Sequence, residues 1–361
     1  MINIFDLSKQ ELIRWCSDMG EPPFRASQLT KWIHGKGVLD FERMSNISTK
    51  FKSLLLEHSR ILIPEIIQHQ KAVDGTSKLL LKLESGEMIE SVIIPEGERL
   101  TACISSQVGC AVDCSFCATG NNGFKKNLSL GEIISQIWIM NNLLASTKIT
   151  NVVMMGMGEP LLNYSNLKNA LALFLSDDGY GLSKRKVTVS TSGVVPFIYK
   201  LKEDCPVSLA VSLHSGNNDL RNKLVPINKK YPLEQLMEAC WEYQKSAPRG
   251  FITMEITLLN GVNDEENHAI EIIKLIEKYK VSVKFNLIPY NPYPGGLYET
   301  PSLKRIERYR RALQGTGQIV TIRKTRGDDV SGACGQLAGS FLSRIKQNSV
   351  PNDKIQRLGV L

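Results

Sequence analysis

Between residues 101 and 323 short apolar runs alternate with longer helical patterns, and this alternation restricts the fold more than any other feature of the chain. The candidate strands are Thr101–Ser105, Val152–Met155, Lys186–Ser190, Val207–Leu213, Phe251–Thr257, Val283–Ile288 and Ile319–Arg323. Between them lie helical stretches at Leu130–Leu144, Leu167–Leu175, Leu233–Gln244, Glu265–Tyr279 and Leu303–Leu313. Such alternation builds a parallel sheet covered by helices. The units are too few to close a (β/α) barrel, so the expected class is α/β with an open, partial barrel. Its chemistry is expected at the C-terminal ends of the strands.

Ahead of this core, residues 1–75 read as a helical accessory domain, with helices at Lys9–Met19, Ala26–His34 and Thr49–Glu57. Residues 76–96 read as a β-hairpin extension: Lys78–Leu83, a turn at Ser85-Gly86, then Met88–Ile94. The core is placed at 97–330 and a C-terminal segment at 331–361. Lys and Arg number 44 against 36 Asp and Glu, a net charge of +8 that favours a polyanionic partner such as nucleic acid. No stretch is apolar for the roughly 18 residues of a membrane span, and the N-terminus has no basic start before an apolar run. A cytoplasmic protein without membrane contact is therefore expected.

Cys110-Ala-Val-Asp-Cys114-Ser-Phe-Cys117 sets three thiols in one loop, a pattern that suits a soft inorganic centre, zinc or iron–sulfur. Three ligands leave one iron of a [4Fe–4S] cluster open, whereas a structural zinc site takes four ligands and would need distant Cys103 or His214. The spacing C-x3-C-x2-C, with an aromatic residue before the last Cys, resembles the radical S-adenosylmethionine (SAM) superfamily. The resemblance implies that SAM binds the open iron and is cleaved to a 5′-deoxyadenosyl radical.

Polar motifs fall at the ends of the candidate strands. Gly156-Met157-Gly158-Glu159-Pro160 offers close backbone approach and a carboxylate able to accept from an ammonium group. Read alone it is equally a tight turn. Ser190-Thr191-Ser192-Gly193, Ser212-Leu213-His214 and Asn291 carry small polar or amide groups suited to a ribose and a carboxylate. Singly they are weak signals, since a lone His is commonly structural and Ser-Thr-Ser-Gly commonly a turn.

Cys334 follows the basic, glycine-containing loop Arg323-Lys-Thr-Arg326-Gly-Asp-Asp, where nearby positive charge would favour a nucleophilic thiolate. Cys103 lies seven residues before Cys110 on the first strand of the core. Together with Gly-Met-Gly-Glu-Pro, Ser-Thr-Ser-Gly-Val-Val-Pro, Ser-Leu-His, Gly-Val-Asn-Asp at 261–264, Leu-Ile-Pro-Tyr-Asn-Pro and Ala-Cys-Gly-Gln-Leu, these cysteines make the chain resemble the RlmN family. These are dual-specificity ribosomal and transfer RNA methyltransferases acting on carbon 2 of adenine. The resemblance runs from Glu90 to Leu337, and the helical N-terminus is similar to the family's accessory domain.

The resemblance implies the rest of the reading. Cys110, Cys114 and Cys117 would hold the [4Fe–4S] cluster. Gly158, Glu159, Ser190, Ser212, Leu213, His214 and Asn291 would bind SAM, of which two are used per turnover. One SAM methylates Cys334; the radical from the second activates that methyl group, which adds to the RNA. Glu90 accepts the carbon-2 proton, and Cys103 forms a transient disulfide with Cys334 to release the product. The implied partners are 23S rRNA, tRNA and an electron donor such as flavodoxin, with a monomer expected. Carbon 8 is the alternative position, and a zinc-stabilised RNA-binding protein the alternative class. Lys125, Lys126, Arg323, Lys324 and Arg326 at the rim, with Arg25, Lys31, His34 and Lys36 in the appendage, are the candidate RNA contacts. Cys16, Cys205 and Cys240 read as packing residues.

Overall fold

The computed structural model describes residues 1–337 except Ala145, Thr316 and Cys334. Three short helices begin the chain: α1 (Lys9–Asp18), α2 (Phe24–Thr30, continued by a wider turn over Lys31–Gly35) and α3 (Thr49–His58). Ser8 and Glu11 form a reciprocal capping box that fixes the start of α1. Leu12, Cys16, Leu29, Ile33, Phe51 and Leu55 turn inward and are buried.

A ten-stranded sheet follows, and its spatial order is the chain order. Strands β1 (Glu65–Lys71), β2 (Ser77–Lys82) and β3 (Met88–Glu96) form an antiparallel meander, and β3 runs antiparallel to β4 (Arg99–Cys103). From β4 the pairing is parallel through β5 (Asn151–Met154), β6 (Val187–Thr191), β7 (Ser208–Ser212), β8 (Ile252–Leu258), β9 (Val283–Pro289) and β10 (Ile319–Ile322). The expected open partial barrel is what these strands make. The expected hairpin is present as β2 and β3, and β1 adds a third strand at its edge. Its residues are mostly exposed at the sheet edge and carry no buried alternation to read.

Helices α4 (Leu130–Leu143), α5 (Tyr164–Leu175), α6 (Val195–Asp204), α7 (Asn218–Leu224), α8 (Leu233–Gln244), α9 (Glu266–Tyr279) and α10 (Leu303–Gln314) connect the parallel strands. Helix α4 is buried on most sides: Ile133, Ile134, Ile137 and Met140 are almost wholly enclosed, each contributing about 1.5–3 kcal/mol. It also docks the N-terminal helices, since Gly131 N–H donates to Asp6 Oδ1 at 2.9 Å and Trp138 Nε1 donates to the Ile33 carbonyl at 3.0 Å. A Cβ on Gly131 would stand 2.7 Å from Asp6 Oδ1, so only glycine allows that approach.

The two ends of the sheet meet through loops. Gly327 N–H donates to Asp74 Oδ2 at 3.2 Å, and Val73 N–H donates to Asp329 Oδ2 at 3.1 Å. The turn between β1 and β2 thereby grips the segment that follows β10. No helix among the described residues is long and apolar enough to cross a membrane.

Candidate active site

The cysteine loop leaves β4, forms a short strand pair of Gln107–Gly109 with Phe124–Asn127, and ends in a helical turn at Ala118–Asn121. Left-handed backbone at Gly109 (φ 73°) and Asp113 (φ 56°) folds it back on itself. Cys110, Cys114 and Cys117 face a cleft of about 940 Å³, which they line with Gly158, Glu159, Ser190, Ser212 and His214. Burial pushes the Cys110 thiol up to about 12 and raises Cys114 well above its usual range. Thiols so enclosed ionise when a metal takes the proton's place.

Glu159 is buried, and burial raises its pKa against the hydrogen bonds that oppose the rise. Its Oε2 accepts from Ser192 N–H at 2.7 Å and its Oε1 from Leu161 N–H at 3.1 Å. Gly158 sits at φ 98°, and a Cβ there would lie 2.5 Å from Gln107 Cβ. Gln107 in turn accepts the Glu159 amide at 2.9 Å. The Gly-Met-Gly-Glu-Pro turn is thus pressed against the strand that leads into the cysteine loop.

His214 has left-handed backbone (φ 60°), and its Nδ1 accepts from Thr257 N–H at 3.0 Å. Burial, aided by the Arg221 charge, lowers its pKa to about 3, so the ring is neutral with its proton on Nε2. The ring packs on Phe116 with centroids 4.5 Å apart. Asn263 of the Gly-Val-Asn-Asp motif donates to the carbonyls of His214 (2.9 Å) and Thr257 (2.8 Å), so that motif braces the strand end from beneath.

A second chamber of about 430 Å³ contains Cys103, Asn291, Gly332 and Ala333, and it shares Met155, Ile288 and Arg323 with the cysteine cleft. Gly335 lines the cleft and accepts from Ala118 N–H at 2.9 Å. Cys334 itself lies outside the described residues. A third, basic cavity of about 1660 Å³ opens inside the partial barrel and is lined by Arg99, Arg185, Lys186, Arg249, Lys284 and Lys324 among others.

The cavity linings separate the predicted residues. Gly158, Glu159, Ser190, Ser212 and His214 gather with the three cysteines, whereas Asn291 lies in the Cys103 chamber, its Oδ1 accepting from Thr325 Oγ1 at 3.2 Å. Leu213 points its side chain into the core, and its N–H donates to the Glu255 carbonyl at 3.0 Å. Glu90 lines neither of these two cavities; it is buried on β3 with Lys78 Nζ 2.9 Å from its Oε1. His34 is half-buried, its ring 5.0 Å from that of Phe5 and 5.6 Å from that of Tyr180, and burial lowers its pKa to about 3. Lys125 and Lys126 pair with Glu87 and Glu132. Cys16 and Cys240 are fully buried, as packing residues are.

Arg221 and Glu255 were not foreseen. Arg221 is fully buried on α7 and donates to the carbonyls of Ser192 (2.7 Å), Ser212 (3.0 Å) and Leu213 (3.0 Å), joining two strand ends. Burial lowers its pKa to about 10, and the neighbouring Cys114 opposes the drop. Glu255 lines the cleft and accepts from Asn286 Nδ2 at 3.0 Å. Neither carries a sequence signal, because an Arg on a short polar helix and a Glu within a strand read as surface residues.

The partial barrel, with a thiol-lined cleft at its strand ends and a buried carboxylate among backbone amides beside it, defines a radical SAM enzyme, and residues 104–273 match the radical SAM superfamily. Residues 2–61 match the ribosomal RNA large subunit methyltransferase N-terminal domain. A radical SAM methyltransferase from Sphaerobacter thermophilus shares 37% identity, covers 94% of this chain and 100% of its own, and superposes with a TM-score of 0.88. The chain belongs to the RlmN family of radical SAM methyltransferases. Partial likenesses extend to a domain of pyruvate-formate lyase-activating enzyme from Bacteroides vulgatus (19% identity, 48% of this chain and 99% of that one, TM-score 0.39) and to Streptococcus suis SuiB bound to S-adenosylmethionine (13%, 63% and 49%, TM-score 0.43).

Enzymes of this class use a [4Fe–4S] cluster and SAM, and the residues present fit both. The cleft offers three soft ligands from one loop and has a buried guanidinium near Cys114, suited to the negative charge of thiolates on a cluster. Glu159 and the serine-lined strand ends supply acceptors and small donors for an amino acid and a ribose.

Proposed function

We propose that this enzyme methylates carbon 2 of an adenine in 23S rRNA, and of an adenine beside the anticodon in tRNA, with Cys334 as the methyl carrier. One observation supports this reading above the others: Gly332 and Ala333, which precede Cys334, share a chamber with Cys103, while Gly335, which follows it, borders the cysteine cleft.

In this reading Cys110, Cys114 and Cys117 hold the cluster. Glu159, Ser190, Ser212, His214, Asn291, Gly158 and the Leu213 backbone orient SAM. When bound, the two cofactors supply a 5′-deoxyadenosyl radical, able to take a hydrogen atom from an unactivated methyl group. The chain's own residues do the remainder. Carbon 2 lies between two ring nitrogens and is too electron-poor to attack a sulfonium methyl group, so a methyl carried on sulfur and activated as a radical removes the obstacle. Glu90 accepts the carbon-2 proton. The Cys103 thiolate then attacks the Cys334 sulfur, the bond from that sulfur to the methylene carbon breaks with its electron pair leaving on carbon, and that carbon takes up a proton to become the methyl group as the disulfide forms. That step needs the two sulfurs within disulfide reach. The basic cavity holds the RNA backbone through its phosphates while the base is presented unstacked.

The test is mass spectrometry of the anaerobically reconstituted protein after incubation with SAM, followed by nucleoside analysis of a 23S rRNA fragment. A methyl group on the Cys334 peptide, absent in Cys334→Ala, with 2-methyladenosine in the RNA is the expected result. An unmethylated Cys334 in protein that carries its cluster would overturn the carrier role, and 8-methyladenosine would overturn the position.

A further inference from the structure

Lys78 joins two elements that the proposed chemistry uses at different moments. It belongs to the row that Cys103, Val92, Lys78 and Gln70 make across β4, β3, β2 and β1, where Val92 pairs with both Cys103 and Lys78. Residues paired across a sheet share a face. Glu90 faces Leu80 and so sits diagonally from Lys78 on that same face. Lys78 Nζ lies 2.9 Å from Glu90 Oε1, with the two side chains only 9% and 5% exposed. The same ammonium donates to the Ser331 carbonyl at 3.1 Å. Ser331 has left-handed backbone (φ 51°) and stands three positions before Cys334.

A lysine withdrawn from water is costly unless its donors are taken up, and the groups it meets here are a carboxylate and a loop carbonyl. Its cross-strand partners are Val92 on β3 and the uncharged Gln70 on β1, so neither partner demands a charge at this place. The surrounding contacts point the same way. Asp74 Oδ2 receives Gly327 N–H, Asp329 Oδ2 receives Val73 N–H, and a Cβ placed on Gly332 would lie 3.8 Å from that of Lys78. The β1–β2 turn and β2 together clasp residues 327–332, and Lys78 is the member of the clasp that also touches Glu90.

We propose that Lys78 is a positioning residue: it fixes the Glu90 carboxylate and the loop leading to Cys334 relative to one another, so that the carbon-2 proton is removed while the carrier cysteine is held in place. This rests on the reading of Glu90 as the proton acceptor. In the step concerned the carbon-2 C–H bond breaks, its electron pair stays with the ring, and the proton passes to a Glu90 carboxylate oxygen. Once that oxygen is protonated the ion pair with Lys78 is neutralised on one side. The ammonium that holds Ser331 then loses its fixed partner, and the loop gains freedom when Cys103 must reach Cys334.

The experiment follows the covalent RNA–protein adduct through a single turnover on a denaturing gel, with iron content and thermal unfolding recorded for each variant. Lys78→Met should form the adduct and resolve it roughly 100-fold more slowly, the scale expected for misplacing a catalytic group. Glu90→Gln should do the same, the double variant should be no slower than either single one, and Lys78→Arg should recover most of the rate. If Lys78→Met does not load its cluster, Lys78→Gln takes its place. Normal resolution in the Lys78 variant beside slow resolution in Glu90→Gln would overturn the proposal and leave the Glu90 reading standing. Normal resolution in Glu90→Gln would overturn that reading and the proposal with it. A Lys78 variant that loads its cluster and forms no adduct would reduce Lys78 to a structural brace and overturn the proposal as well.

Discussion

Glu159 and Ser192 are joined by a 2.7 Å hydrogen bond from a backbone amide to a buried carboxylate, which ties the turn after β5 to the end of β6. One side chain thus fixes the relative placement of two walls of the cleft. A carboxylate accepts at both oxygens, and here Leu161 N–H occupies the other.

Glu159→Gln keeps the size of the side chain and removes one acceptor, leaving an N–H donor facing a donor. The expected cost is about 1–3 kcal/mol in unfolding free energy, with SAM affinity lowered roughly tenfold. Thermal unfolding and equilibrium binding of SAM to the reconstituted enzyme check this; unchanged affinity would remove Glu159 from the ligand site.

The cysteines should separate into two groups. Cys117→Ala should lose iron and the brown colour of the cluster, because two thiolates cannot replace three. Cys240→Ala, fully buried on α8 away from the cleft, should keep its iron while losing about 1 kcal/mol of stability to the missing sulfur. Iron and sulfide assays beside denaturant unfolding distinguish the two.

Arg185 and Arg249 stand at the basic cavity, and Arg249 donates to the Arg185 carbonyl at 3.2 Å. If the cavity holds RNA phosphates, Arg185→Ala should weaken binding to a 23S rRNA fragment without altering which adenine is modified. The slope of log affinity against log salt should fall in size by about 1. Filter binding at several salt concentrations measures it, and an unchanged slope would move the RNA path elsewhere.

His34 links stability to pH. Its folded pKa, lowered to about 3 by burial, lies below the ordinary value of 6.5, so its contribution is complete above pH 6.5 and is lost as pH falls toward 3. By pH 5 the loss is about 2 kcal/mol. Between pH 7 and 5 the unfolding free energy of His34→Gln should fall less steeply than that of the parent protein. Since His214 is lowered in the same way, part of the slope should survive in the variant.

Much of the molecule was determined by sequence alone. Each parallel strand from Arg99–Cys103 to Ile319–Ile322 was legible within a few residues, because buried strands need continuous apolar side chains and the intervening helices show their own period. The cysteine loop and Gly158-Glu159 were legible for a related reason: ligand chemistry and close backbone approach admit few residue types. Tertiary structure decided the rest. Arg221 reads as a surface charge until the fold buries it against the carbonyls of two strand ends, and Lys78 gains its role only when the loop at Ser331, remote in sequence, reaches it. The contacts of His34 with Phe5 and Tyr180 come from segments far from it in sequence. The strand Glu65–Lys71 exists because β2 offers it an edge, not because its own pattern demands one. Local sequence sets which backbone shapes and ligands a segment can adopt, but the value of a charge depends on how much water remains around it, and that is settled only when remote segments pack.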